Sequence, residues 1–157
     1  MAKLKLKNEW KLWASIGALV LLLVGYLYWV SRPPTEGGER LWRVTQVVDG
    51  TTLTLRGSGK LIELKLIGVR VPASQETAAR DFLTNSLNDK WLRIKIVREN
   101  PNGVNEGFAY ISGEDVTARM IRLGLATIDR EEKKFDVRPY IELEQEAEKA
   151  KRGLWNK

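Results

Sequence analysis

The sequence predicts an α+β protein: a small β-barrel with three helices packed outside it, preceded by a single transmembrane helix. Three observations carry this. Trp13 to Val30 is a run of 18 residues without a charge. Beyond residue 41, apolar residues alternate with polar ones between Asp-Gly and Gly-Ser-Gly turns, the mark of half-buried strands. Three further segments place apolar residues at helical spacing.

The uncharged run is about long enough to cross a hydrocarbon core of roughly 30 Å. Trp10 and Trp13 stand at one end, and Tyr26, Tyr28 and Trp29 at the other. Amphipathic rings settle at headgroup level, so Trp10, Trp13, Tyr28 and Trp29 are the expected interface anchors. Lys3, Lys5, Lys7 and Lys11 precede the run. The basic tail of residues 1–12 is therefore expected in the cytoplasm, with the C-terminal domain on the extracytoplasmic or lumenal side. Signal-peptide cleavage wants small residues, which Tyr28-Trp29-Val30-Ser31-Arg32 does not supply. Residues 13–30 thus read as the uncleaved signal anchor of a single-pass membrane protein. Residues 31–40 form a Pro/Gly-rich linker, and 41–157 the folded domain.

The formal charge of +6 is unevenly placed. Five basic residues and one acidic residue in 1–32 leave +4 there and +2 on the remainder. The domain therefore lacks the strongly basic footprint of a dedicated nucleic-acid binder. With no cysteine there is no disulfide and no thiolate chemistry. With no histidine the commonest general base and metal ligand is missing too.

Within the domain, Arg43–Val48, Thr52–Leu55 and Ile62–Leu66 are expected strands, joined at Asp49-Gly50 and Gly57-Ser58-Gly59. Trp91–Val97 is a fourth, with Leu92, Ile94 and Ile96 on one face and Arg93 and Lys95 on the other. Gly107–Ile111 and Ala126–Ile128 are shorter candidates. Ser74 is expected to cap a helix reaching Leu87, with Ala78, Phe82 and Leu83 inward. Asp115 caps a second helix, in which Met120, Ile121 and Leu123 lead to a stop at Gly124. A third runs from Pro139 to Arg152, with Tyr140, Leu143, Ala147 and Ala150 at helical spacing and Gly153 ending it.

Several short motifs then occur in a telling order. They are Val47-Val48-Asp49-Gly50-Thr51-Thr52, Gly68-Val69-Arg70-Val71-Pro72, Gly107-Phe108-Ala109-Tyr110, Arg122-Leu123-Gly124-Leu125-Ala126, and the closing Ala147 to Trp155. In this order and spacing, Leu41 to Trp155 resembles the staphylococcal-nuclease-like (thermonuclease) domains. The resemblance implies an OB-type five-stranded barrel with three helices, and calcium-dependent cleavage of phosphodiesters. Such cleavage needs carboxylates around a hard cation, a carboxylate to activate water, and arginines facing the charge on phosphate.

Several positions depart from the family's pattern. Thr51 stands where the Asp-Gly-Asp-Thr turn has its second aspartate, and Lys65 where a strand carries an arginine. Arg70 and Ala73 replace the aspartate and glutamate of Gly-x-Asp-x-Pro-Glu, and Glu106 replaces the second arginine. Arg130 and Glu132 stand for two pocket tyrosines. Two unit charges about 4 Å apart interact by about 4 kcal/mol at an effective dielectric near 20, and a divalent ion doubles this against Arg70. Loss of the water-activating group removes roughly 10²–10⁴-fold in rate.

These positions predict no catalytic residue, no metal and no cofactor. The expectation is a pseudoenzyme serving as a protein-interaction or accessory subunit of a membrane complex. Ala14, Gly17 and Ala18 would let neighbouring membrane helices approach closely. Two alternatives stay open. One is a membrane-anchored, calcium-dependent nuclease with a displaced site using Asp49, Glu63 or Glu106. The other is a non-cleaving single-strand binder, with Lys65, Arg70, Arg93, Lys95 and Arg98 as the anion contacts. Asp49 is expected to bond its own turn, and Arg70 to pair with a neighbour such as Glu106. Trp42, Trp91, Phe108 and Tyr110 read as core, Trp155 as packing the last helix on the barrel, and Glu131–Lys134 as a solvated loop.

Overall fold

A computed structural model describes residues 9–30, 35–36, 39–101 and 103–156; the side chains of 9–13, 15, 29–30, 35–36 and 39–40 fall outside that description. Lys3, Lys5 and Lys7, the side chains of Lys11, Trp10, Trp13 and Trp29, and most of the linker therefore lie outside the described residues. The chain divides into two units, Met1–Arg32 and Pro33–Lys157. The described residues of the first form one helix, α1 (Glu9–Val30), of 22 residues. Its Leu19, Leu21, Leu22, Tyr26 and Tyr28 are all exposed. Among the described residues no helix is long and apolar enough to cross a membrane.

In the second unit, β1 (Thr35–Glu36) and β2 (Glu39–Arg40) form a minimal hairpin within the linker. The barrel follows: β3 (Trp42–Val47), β4 (Thr52–Gly57), β5 (Lys60–Leu66), β7 (Trp91–Arg98) and β8 (Val104–Ile111). The sheet runs β5-β4-β3-β7-β8, and a parallel pairing of β5 with β8 closes it. β6 (Val69–Arg70) leaves the barrel to pair with β10 (Thr127–Ile128), while β9 (Glu114–Asp115) folds back on β8. α2 (Glu76–Leu87), α3 (Val116–Arg122) and α4 (Arg138–Lys149) complete the predicted set of three helices. Val44, Leu53, Leu55, Leu64 and Leu92 fill the interior from alternating strand positions, and Leu83, Met120 and Ile121 meet them from the helices. Burial on this scale supplies the main driving force for the fold.

Several boundaries moved for identifiable reasons. Pro72 keeps its residue extended, at ψ 148°, so a 3₁₀ turn over Ala73–Gln75 precedes α2 and Ser74 makes no side-chain cap. The inward face of α2 is accordingly Ala79, Leu83 and Leu87, not Ala78. Phe82 flanks that face, with the Arg119 guanidinium 5.4 Å from its ring. Asp115 does cap α3, accepting from the Thr117 amide at 2.8 Å. Gly124 ends it at φ +69°, where a Cβ would lie 2.3 Å from the Arg152 carbonyl oxygen. On α4 the buried residues are Ala147 and Glu144, while Ala150 is exposed. Glu144 tolerates burial because it accepts from the Ile128 amide and pairs with Arg130. Of the four aromatics expected in the core, Phe108 is buried and Trp91 is exposed.

Candidate functional site

The β3–β4 turn is organised by one carboxylate. Asp49 Oδ1 accepts from the amides of Thr51 and Thr52, each at 2.7 Å, and from the Thr51 hydroxyl at 2.9 Å. Partial burial pushes the Asp49 carboxyl up, but these hydrogen bonds prevail and hold it below its ordinary value. The expectation that Asp49 bonds its own turn holds. The Gly50 amide turns the other way and donates to Glu76 Oε1 at 2.7 Å. A Cβ on Gly50 would fall 2.9 Å from Glu76 Oε2 and 3.1 Å from the Ala79 Cβ, so a larger residue would displace the Glu76 carboxylate. The turn and the start of α2 are thus docked on each other.

Asp49, Thr51 and Glu76 line one wall of a cleft of about 430 Å³, and Lys65, Val69, Arg70 and Val71 line the other. A second cleft, of about 230 Å³, shares Lys65 and Arg70 and adds Arg98, Glu106, Asp129 and Glu132. Four of the five family positions named from sequence, Thr51, Lys65, Arg70 and Glu106, therefore line these two clefts. Ala73 lies in the exposed 3₁₀ turn ahead of α2 and lines neither. One turn further on, the same segment carries Glu76 into the first cleft. Sequence reasoning missed Glu76; its signal was a carboxylate in the first turn of a predicted helix, beside the Gly-x-x-x-Pro segment.

The cations are placed differently from expectation. Lys65 sits between Thr52 on β4 and Glu106 on β8, with its side chain exposed. Arg70 pairs with Asp129, donating to both carboxylate oxygens at 3.1 Å, and lies 3.8 Å from Glu131. Glu106 is not its partner: Glu106 is taken by Arg98, its cross-strand neighbour. A bulge between Ile96 and Arg98 brings Arg98 into register with Arg93 and Lys95, opposite Tyr110, Phe108 and Glu106. The basic stripe therefore does share a face, yet its ends are engaged. Arg93 lies over the Tyr110 ring at 5.0 Å, and Arg98 also reaches Glu132 at 3.3 Å. Glu132 is only 11 % exposed and accepts from the amides of Lys133 and Lys134, so the 131–134 loop is not simply solvated.

Calcium is the ion the resemblance implies, and the donor set does not fit it. A calcium ion takes about six to eight oxygens. Here two carboxylates share the first cleft, each with one oxygen already holding turn amides, and the Arg70 guanidinium lines the same space. Among the described residues no group of three or more acidic residues is placed to hold a metal.

Residues 63–157 match the family described as Staphylococcal nuclease homologue. The chain belongs to the staphylococcal nuclease family. An "Uncharacterized endonuclease" of Escherichia coli O157:H7 and one of Escherichia coli are each 27 % identical to it over 118 residues, covering 73 % of this chain and 76 % of theirs. The "Thermonuclease" of Staphylococcus hyicus is 23 % identical over 134 residues, covering 78 % of this chain and 79 % of that protein. These relatives overturn the expectation that the chain is not an enzyme, since proteins named for nuclease activity match most of its length. The displaced site kept open from the sequence named Asp49, Glu63 and Glu106. It did not allow for a carboxylate entering the cleft from a neighbouring turn of helix, as Glu76 does.

Proposed function

We propose that this chain is a membrane-anchored nuclease of the staphylococcal nuclease family, acting on single-stranded nucleic acid in the cleft between the β3–β4 turn, β6 and α2. One observation carries the reading: Lys65 and Arg70 share that cleft with Asp49 and Glu76. Two cations draw in a polyanion and oppose the negative charge on the phosphoryl oxygens during displacement. Glu76 has one oxygen held by the Gly50 amide. Its other oxygen would take a proton from a water whose oxygen bonds phosphorus, while the P–O bond to the leaving sugar oxygen breaks and that oxygen takes up a proton from solvent. Asp49 holds the turn that positions both. No step is assigned to a metal. OB-like barrels commonly hold single strands in such clefts. The anchor half of the proposal rests on the sequence, on the uncharged run Trp13–Val30 and the lysines that precede it.

The test uses the full chain in mild detergent with end-labelled single-stranded DNA and RNA, with added calcium or with chelator. We expect cleavage that Glu76→Gln lowers by roughly 10²–10⁴-fold. Absence of both cleavage and low-salt binding overturns the proposal. Binding without cleavage under every ion condition puts a non-cleaving single-strand-binding module in its place.

A further inference from the structure

The guanidiniums that line the second cleft are held by carboxylates from one short stretch of chain. Asp129 and Glu131 take Arg70, and Glu132 takes Arg98 together with Glu106. The backbone of this stretch is pinned at both ends. The Asp129 amide donates to the Gly68 carbonyl oxygen at 2.8 Å. Phe135 packs edge-on against Phe108 at 4.9 Å, over a glycine, Gly68, whose Cβ would fall 2.3 Å from the Phe135 ring. Between these pins Asp129 Oδ1 accepts from the Glu131 amide at 3.2 Å and Glu132 Oε1 from the Lys133 and Lys134 amides at 2.8 Å, which leaves Asp129 Oδ2 and Glu132 Oε2 holding only the guanidiniums. The Arg70 pairs are the looser ones, with 64 % of the Arg70 side chain and 89 % of the Glu131 side chain exposed. Exposed pairs of this kind are individually weak. A carboxylate and a phosphate each offer a guanidinium a pair of oxygens that its fork can bond bidentately.

We propose that residues 129–132 form a displaceable carboxylate strap occupying the phosphate-binding face of the cleft. An incoming phosphate backbone replaces Asp129 and Glu131 at Arg70 and Glu132 at Arg98, while Lys65, to which no ion pair is assigned among the described residues, makes the first contact. The strap raises the threshold for binding, so short or weakly charged anions are excluded and a continuous polyanion is admitted. This rests on the phosphodiester reading given above.

The experiment compares binding of a labelled oligothymidylate to the full chain in detergent over a range of salt. The strap variant is Asp129→Asn/Glu131→Gln/Glu132→Gln. Because Glu132 also bonds two amides, Asp129→Asn/Glu131→Gln serves as a second variant that keeps it. A control neutralises three exposed carboxylates of α4, with Glu142→Gln/Glu146→Gln/Glu148→Gln. We expect the strap variants to bind roughly tenfold tighter, with a steeper salt dependence, and the α4 control to bind like the wild type. Adding Arg70→Ala to the second variant should remove the gain. If the wild type binds and the strap variants bind no tighter, or the α4 control gains as much, the strap is overturned and the phosphodiester reading survives. If none of the proteins binds at low salt, both fall together.

Discussion

Tyr140 on α4 donates its hydroxyl to Oδ2 of Asp115, 2.5 Å away, while Oδ1 of the same carboxylate caps α3 through the Thr117 amide at 2.8 Å. A single side chain thereby ties the start of one helix to the face of another. Burial pushes the Asp115 carboxyl above its ordinary value, against its hydrogen bonds to Tyr140 and the cap amides. Tyr140→Phe leaves Oδ2 half-buried without its donor and should lower unfolding stability by about 1–3 kcal/mol. Asp115→Ala also removes the cap, a further loss of roughly 0.5–2 kcal/mol. Urea unfolding of the two variants gives both numbers, and Asp115→Ala should be the weaker protein.

Two aspartates should pull the acid limb of stability in opposite directions. Asp49 is held below its ordinary value of 3.8: partial burial raises it, and the bonds from Thr51 and Thr52 more than offset that. Its contribution is therefore present above the unfolded value and lost as pH falls through the folded one. Asp115 is raised above 3.8, chiefly by burial, so the folded chain prefers its protonated form and its contribution fades as pH rises through the folded value. Unfolding followed from about pH 5 down to about pH 2 should show Asp49→Asn losing stability less steeply than the wild type. Asp115→Asn should lose it more steeply.

β8 lies against β7 with two backbones in close contact, and one glycine permits it. A Cβ on Gly107 would lie 2.2 Å from the Lys95 carbonyl oxygen and 3.0 Å from the Ile96 Cα. These are backbone atoms, so Gly107→Ala must push β8 off β7. The expected loss is roughly 1–3 kcal/mol or more, read as a lowered melting temperature. Gly59→Ala is the contrast: no atom lies within 4 Å of its Cβ, and only its φ of +75° resists, so about 1–2 kcal/mol is expected.

The proposed anchor makes its own prediction. The full chain should stay with membranes through alkaline carbonate washing. Protease added from the cytoplasmic side should reach the N-terminal tail and spare residues 41–157. Release by carbonate would end the anchor proposal, and cleavage of the domain from the cytoplasmic side would reverse its orientation.

The sequence by itself determined the features that depend on near neighbours. Alternation at Ile62–Leu66 and Leu92–Ile96 marked strands because side chains on a strand change face at every residue. The Asp49 turn, the Asp115 cap and the Gly124 stop were legible because their partners lie within a few positions along the chain. The tertiary structure decided which charges meet. Arg70 finds Asp129, 59 residues away, only because β6 pairs with β10. Glu106 goes to Arg98 because a bulge in β7 restores their register. Glu76 reaches Gly50 across 26 residues because Pro72 and a 3₁₀ turn set where α2 begins. Charge pairing acts through space, and periodicity along a chain carries no record of which distant residue barrel closure will bring alongside.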